Sequence, residues 1–286
     1  MPPSPNPTRE SRLLPQSQGL SNLPWWLIVA IAIGGIITLL IITDEQMNII
    51  FRAIITGIGV TLSVTFMAYT LAITLGLIFG LGRVSHNKII FNIASFYVEI
   101  VRGIPMLVLL MYIAFVGVPL VIQGINALGN LLLNIGLPFG AALAEVTSRN
   151  VDNMLRVVLG LGFAYGAFSA EIFRAGIEAV DKGQVEAAQA LGMTYNQTMR
   201  FVVLPQAIRN VLPALGNDFV AMLKDSSLVS VLGVRDLTQI TKLYAASTFL
   251  FFQAYSILAF IYLAMTILLT RLIRRLENHL AQSRRR

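Results

Sequence analysis

Two pairs of oppositely charged residues lie within or at the edge of apolar segments. Glu99 precedes Arg102 by three positions in YVEIVRGIP, and Glu171 precedes Arg174 by the same spacing in AEIFRAG. Residues three apart share one face of a helix, so each pair can form an ion pair that neutralises both charges. Because long side chains near the end of a membrane segment can reach the polar boundary, we predict that both are structural charge pairs.

A further polar group interrupts the apolar segment AMLKDSSLVSVLG. It consists of Lys224, Asp225, Ser226 and Ser227. Charge within a membrane-spanning segment is costly in free energy, and it usually faces a cavity or a partner chain. We predict that these four residues line a translocation pathway or a subunit interface.

Several other chemistries lack the residues that they require. The sequence contains no cysteine, and its two histidines, His86 and His279, are far apart. Neither a thiolate nor a histidine metal site is therefore expected. The pattern G-x-x-x-x-G-K-[ST], which holds the phosphates of a nucleotide, is also missing. We predict no catalytic residues, no metal and no cofactor bound by this chain.

The composition is that of a membrane protein. Hydrophobic residues make up 56% of the chain and charged residues 12%, against about 25% charge in an average soluble protein, and the mean hydropathy is +0.75. The net charge of +7 need not imply nucleic acid, because the cations cluster at the ends of apolar segments, where they set orientation. We predict an all-α polytopic membrane protein with about six transmembrane helices.

Apolar segments separated by polar stretches define the expected organisation. Residues 1–22 are rich in Pro, Ser and Asn and predict a disordered tail. The predicted spans are 23–43, 54–81, 89–116, 153–172, 208–231 and 249–272. Residues 117–150 contain no clean run of about 20 apolar residues and predict an extracytoplasmic insertion with a short interfacial or re-entrant helix. Residues 275–286 form a basic tail.

The distribution of cations orients these spans. One side of the six-span arrangement carries Arg9, Arg12, Arg83, Lys88, Arg174, Lys182, Arg200, Arg209, Arg271, Arg274, Arg275 and Arg284 to Arg286. An excess of Lys and Arg marks the cytoplasmic side. We therefore expect both termini in the cytoplasm, with 23–43 retained as a signal anchor because no small-residue cleavage site follows it.

The polar stretch 181–205, DKGQVEAAQALGMTYNQTMRFVVLP, predicts two short helices joined by a corner. Asp181 is a favourable residue for a helix start, and Thr194 with Gln197 forms the pattern of a capping box. Gly192 occupies a position where helices commonly end in a left-handed residue. The second helix is expected to end near Leu204, because Pro205 disfavours helical geometry in the residue before it.

The residues of this stretch resemble the EAA loop of bacterial ABC-importer permeases. Its spacing matches in Glu186, Ala187, Ala188 and Gly192, and in the terminal pair Leu204 and Pro205. The resemblance implies that 181–205 is the cytoplasmic coupling loop that docks on an ATP-binding subunit.

Three other segments extend the resemblance to permeases for polar amino acids, of the histidine, glutamine and arginine type. They are YVEIVRGIPMLVLL, AEIFRAGIEAV and MLKDSSLVSVLG, within a domain covering 54–274. The resemblance implies an inner-membrane, non-catalytic subunit that works by alternating access and imports polar or general L-amino acids. The implied partners are an ATPase that binds ATP and Mg²⁺, a second permease, identical or paralogous, and an extracytoplasmic solute-binding protein. The additional span 23–43 and the long 117–150 stretch depart from the family pattern.

Two other classes compete with this interpretation. An ion-driven secondary carrier often contains inverted repeats and broken helices, and Pro213 could break a helix here, although the two halves show no convincing repeat. A membrane scaffold needs only the spans, and the coupling motif argues against it.

Overall fold

The computed structural model describes residues 25–282, all of whose regular elements are helical. The predicted tail 1–22, the first two residues of the predicted span 23–43, and Arg284 to Arg286 lie outside the described residues. The α-helices are α1 Trp25–Thr43, α2 Glu45–Ile55, α3 Ile58–Arg83, α4 Lys88–Gly103, α5 Met106–Tyr112, α6 Val118–Asn134, α7 Gly140–Ala144, α8 Asn153–Glu178, α9 Lys182–Ala190, α10 Tyr195–Thr198, α11 Leu204–Asp225, α12 Leu237–Thr248 and α13 Phe251–Gln282.

Four helical stretches within the described residues are long and apolar enough to cross a membrane. They are Glu45–Arg83, Met106–Asn134, Asn153–Glu178 and Phe251–Glu277. The apolar α1 and the polar α11 would bring the number of spans to six. The all-helical membrane fold is therefore confirmed, and the number of spans stays a prediction.

The centre of the molecule is the contact between α3 and α8. A Cβ added to Gly76 would lie 2.5 Å from the Cβ of Ser169, and one added to Gly80 would lie 2.7 Å from that of Phe173. The two contacts advance together along both helices, so α3 and α8 run parallel. Glycine is needed at these positions because the helix backbones approach too closely for a side chain.

The first helix packs on the last one. Ile41 near the end of α1 joins a buried apolar cluster with Ile50 and Ile54 of α2 and with Ile257 and Ile261 of α13. The chain turns between α1 and α2 at Asp44, whose carboxylate accepts a hydrogen bond of 2.9 Å from the Met47 N–H. This N-cap satisfies one of the free amides at the start of α2.

The structure divides the predicted span 89–116 between two helices. The chain leaves α4 at Ile104, whose φ of −102° and ψ of 135° are extended, because the following Pro105 excludes helical geometry there. A second helical run begins at Met106 and continues through a π-helical turn, Ile113–Gly117, into α6.

The stretch 117–150 is more helical than its composition indicated. Instead of one short helix it contains the 17-residue α6 and α7, which packs back on it where a Cβ on Gly129 would lie 2.4 Å from the Ala144 nitrogen. α6 packs chiefly on α7. Its position outside the cytoplasm stays a prediction.

The last helix is also longer than its predicted span. α13 runs through 249–272 from Phe251 and continues into the basic tail 275–286 as far as Gln282. Its 32 residues correspond to a length of about 48 Å, which exceeds the hydrocarbon thickness of a bilayer.

Candidate functional site: the coupling segment and a charged cavity

The stretch 181–205 is named the coupling segment after the role predicted for it. Its first half is a capped helix that ends at Gly192. The Asp181 carboxylate accepts a hydrogen bond of 2.7 Å from the Gly183 N–H at the start of α9. Gly192 has a φ of +80°, the left-handed conformation expected there. Its N–H donates to the Gln189 carbonyl, and the Met193 N–H donates to the Ala188 carbonyl, which is the Schellman pattern of a helix end.

The second half contains the expected capping box and an unexpected continuation. The Gln197 side chain accepts from the Thr194 N–H at 2.8 Å, and the Thr194 hydroxyl accepts in return from the Gln197 N–H. The predicted helix end near Leu204 was wrong. A π-helical turn, Met199–Val203, carries the chain into α11, with the Leu204 N–H bonded to the Met199 carbonyl. The wider turn accommodates Pro205, which has no N–H to donate.

The motif residues present two faces. Ala188 is buried at 4% exposure, whereas Glu186, Ala187 and Gly192 are exposed. Leu191, next to the corner, is 84% exposed. These exposed residues are not covered by other parts of the described chain, so they leave an outward face available to a partner.

The inward face is anchored to the ends of the two central helices. A buried apolar cluster joins Val203 of the coupling segment and Ala207 of α11 to Ile177 near the end of α8 and to Val180 just after it. Leu81 and Val84, at the end of α3, pack against the same cluster.

A cavity of about 450 Å³ lies between α8 and α11. Its wall carries one cation, two carboxylates and one amide among small and apolar side chains. The lining residues are Arg102, Phe168, Glu171, Ile172, Ala175, Gly176, Ala179, Asn210, Val211, Ala214 and Asp218.

The predicted contact between Glu171 and Arg174 is present. The Arg174 Nε donates to both carboxylate oxygens of Glu171 at 3.1 Å, and its Nη1 pairs with Glu178. Glu171 also lies 3.3 Å from the Arg83 Nη1. The pair is thus part of a larger network that links α8 to the end of α3.

The predicted pair of Glu99 and Arg102 was wrong. Glu99 pairs at 3.0 Å with Arg83 of α3, while the Arg102 guanidinium lies 5.7 Å from the centre of the Phe168 ring. Glu99 and Arg102 are three residues apart on α4 but do not pair with each other, because Arg102 at the end of α4 faces the cavity. Among residues 25–282, Arg102 makes no ion pair with Glu99.

The four predicted pathway residues, two at the end of α11 and two in the 3-10 helix Ser226–Leu232 that follows it, do not line this cavity. Asp225 accepts a 2.8 Å hydrogen bond from the Tyr165 hydroxyl of α8. Ser226 is fully buried and donates to the Leu223 carbonyl, Ser227 is partly buried, and Lys224 is exposed. Their role in a pathway or interface stays a prediction.

Asp218 is a cavity residue that the sequence interpretation missed. Asp218 belongs to α11, and its carboxylate accepts a 3.2 Å hydrogen bond from the Ser169 hydroxyl of α8. It precedes Asp225 by seven positions in the same helix, a spacing that returns to the same face. An unpaired acid within a predicted span was the available signal.

Residues 72–282 match the family described as the binding-protein-dependent transport system inner membrane component. The chain belongs to this family. It is 30% identical over 227 residues to the arginine transport system permease protein of Bacillus subtilis, covering 79% of this chain and 92% of the relative. It is 33% identical over 214 residues to the histidine/lysine/arginine/ornithine transport system permease protein of Salmonella typhimurium, covering 74% and 86%.

A solved structure agrees with this assignment. A chain from a structure entitled "Crystal structure of an amino acid ABC transporter with histidines" is 38% identical, with a TM-score of 0.67, and the match covers 82% of this chain and 97% of that one. A subunit of a methionine ABC transporter at 20% identity and a TM-score of 0.61 shares the fold. This permease family places the chain in the membrane as a subunit of a binding-protein-dependent importer.

Proposed function

We propose that this permease imports polar or general L-amino acids by alternating access, driven by ATP hydrolysis on a separate subunit. The observation that carries the proposal is the cavity whose wall joins Arg102 to Glu171 and Asp218 within a chain of this family. The relatives named above are permeases for arginine and for histidine, lysine, arginine and ornithine.

The charges of the cavity suit a zwitterion. Glu171 is already paired with Arg174 and Arg83, whereas Arg102 contacts the face of Phe168 and makes no ion pair among the described residues. Arg102 is therefore the group that binds the α-carboxylate, since guanidinium matches a carboxylate in a bidentate geometry. Asp218 accepts from the α-ammonium group.

The coupling segment supplies the mechanical connection to the ATPase. Glu186 and Ala187 are exposed beside the corner at Gly192, while Ala188 holds the segment against its own chain. Leu204 and Pro205 continue it into α11, which forms one wall of the cavity. The ATPase carries ATP and Mg²⁺, and this subunit is itself non-catalytic.

Membership of this family supports two further partners. A second permease, identical or paralogous, completes the pathway, and an extracytoplasmic solute-binding protein delivers the amino acid. We propose that the protein lies in the bacterial inner membrane with both termini in the cytoplasm, in contact with lipid and without a nucleic acid partner.

Co-purification tests the assembly directly. The chain is extracted from its native membrane in mild detergent, and the bound chains are identified by mass spectrometry. We expect an ATP-binding cassette ATPase in stoichiometric amount. The alternative, a secondary carrier, would be established by a chain that purifies without an ATPase and takes up amino acids when an ion gradient is imposed.

A further inference from the structure

We infer that Arg83 is a positioning residue that transmits the state of the coupling segment to the wall of the cavity. The inference rests on the proposed function, because it concerns how movement of the ATPase reaches the pathway. Arg83 does not line the cavity and was expected only as a cation on the cytoplasmic side.

Arg83 connects three helices through one guanidinium. It ends α3, and its Nη1 lies 3.0 Å from Glu99 of α4 and 3.3 Å from Glu171 of α8. The Arg83 side chain is only 14% exposed. Neither contact has hydrogen-bond geometry, and the Nε also lacks a partner. One poorly solvated cation is therefore shared by two carboxylates rather than committed to either.

The chain next to Arg83 touches the coupling segment. Leu81 and Val84 pack against the apolar cluster that includes Val203. Two residues further on, the His86 ring meets the Tyr195 ring of α10 edge to face, with centroids 5.1 Å apart. The end of α3 thus contacts the coupling segment on one side and, through Arg83, the cavity residue Glu171 on the other.

The two ion pairs of Arg83 differ in solvent exposure and therefore in strength. α3 and α8 are locked together where Gly80 meets Phe173, and the Glu171 side chain is 25% exposed. The Glu99 side chain is 66% exposed, and an exposed pair is weakened by water and salt. A shift of the α3 end therefore breaks the contact with Glu99 first. This removes one polar tether from α4, the helix that carries Arg102, while the buried cluster of Tyr97, Val98 and Val101 keeps α4 packed on α8.

A cysteine reporter tests the inference without needing the transported substrate. The chain has no cysteine, so Ala175→Cys on the cavity wall provides one reactive thiol. The complex with its ATPase is labelled with a maleimide in the nucleotide-free state and in the state trapped with ATP and vanadate. The parent is the protein that carries only Ala175→Cys. In this parent we expect the maleimide labelling rates of the two states to differ by roughly three- to tenfold, the range of coupling within an ion-pair network.

Arg83→Gln should reduce that difference to less than about twofold while the ATPase remains bound. Arg156→Gln is the matched control, since Arg156 also joins elements, through the carbonyls of Ala114 and Ser148, but at the opposite end of α8. It should lower the amount of folded protein and keep the parental difference. An unchanged difference in Arg83→Gln would overturn the inference.

A second variant covers the case in which Arg83→Gln does not fold. Glu99→Gln removes only the exposed partner, and it should reduce the difference by a smaller factor; the parental value would overturn the inference. A parent with nucleotide-dependent labelling but no amino acid uptake would refute the proposed substrate and leave the role of Arg83 intact. A parent whose labelling ignores nucleotide would refute the role of Arg83 itself.

Discussion

At Gly192 the backbone conformation, rather than a lack of space, determines which side chains are tolerated. Its φ is +80°, and no atom lies within 4 Å of an added Cβ. A β-branched residue in this region costs on the order of 1–2 kcal/mol, whereas asparagine enters it more readily. The sequence predicted this conformation from the position of the glycine after a run of helix formers.

Gly192→Val should therefore release the ATPase while the spans remain inserted. The strained corner displaces the exposed Leu191 and Glu186, which border the proposed docking face. Gly192→Asn is the matched control and should retain most of the ATPase in a pull-down. Equal retention by both variants would mean that the corner does not shape the docking surface.

Asp218 supplies a second test at the scale of single residues. Asp218→Asn keeps an acceptor for the Ser169 hydroxyl but removes the charge facing the cavity. Loss of one charge-assisted contact of about 1.5–3 kcal/mol should reduce uptake roughly tenfold or more, with the amount of folded protein unchanged. Uptake of several competing amino acids at equal expression is the measurement.

Asp225→Asn provides the comparison, because Asp225 bonds to Tyr165 away from the cavity. It should keep expression intact and lower uptake less than Asp218→Asn does. A larger loss at Asp225 would move the substrate contact to the end of α11. The sequence singled out Asp225 as a pathway or interface residue because a charge lies within a span. The three-residue spacing of Glu99 and Arg102 wrongly predicted an ion pair, since each side chain contacts a residue of another helix.

At the scale of elements, the parallel contact of α3 and α8 holds the site together. This contact fixes the position of Glu171, on α8, relative to Arg83 at the end of α3. The contact depends on glycines at the points of closest approach. The glycines of this helix can be read from the sequence and permit close helix contact, but nothing in the sequence identifies the partner helix.

Gly76→Ala should destabilise the protein, because the added Cβ would lie 2.5 Å from that of Ser169 and 3.0 Å from its backbone carbon. Overpacking of this kind typically costs about 1–3 kcal/mol. Gly59→Ala on the same helix is the control, since nothing lies within 4 Å there. Midpoints of thermal unfolding in detergent should fall for Gly76→Ala only; equal midpoints would show that α3 and α8 are less tightly packed.

Element boundaries were harder to predict than element type. Pro105 was visible in the sequence, yet 89–116 was predicted as one span because apolar residues predominate on both sides of the proline. Pro205 was expected to end a helix, and a π-helical turn carried the chain past it. A proline restricts local geometry, but packing decides whether the helix stops or widens.

At the scale of the whole molecule, charge asymmetry predicts the topology. With six spans both termini are cytoplasmic, together with the coupling segment and the end of α3. Reporters that are active only in the cytoplasm, fused before Pro2 and after Arg286, should both be active. Activity from one terminus alone would contradict six spans and favour an odd number.

The central claim is that ATP hydrolysis on a bound partner drives amino acids through this subunit. The purified complex is reconstituted into proteoliposomes with ATP and Mg²⁺ on the cytoplasmic side and the solute-binding protein on the other, without an ion gradient. We predict accumulation of a polar amino acid that stops when ATP is replaced by a non-hydrolysable analogue. Accumulation that ignores ATP and follows an imposed proton or sodium gradient would contradict the account.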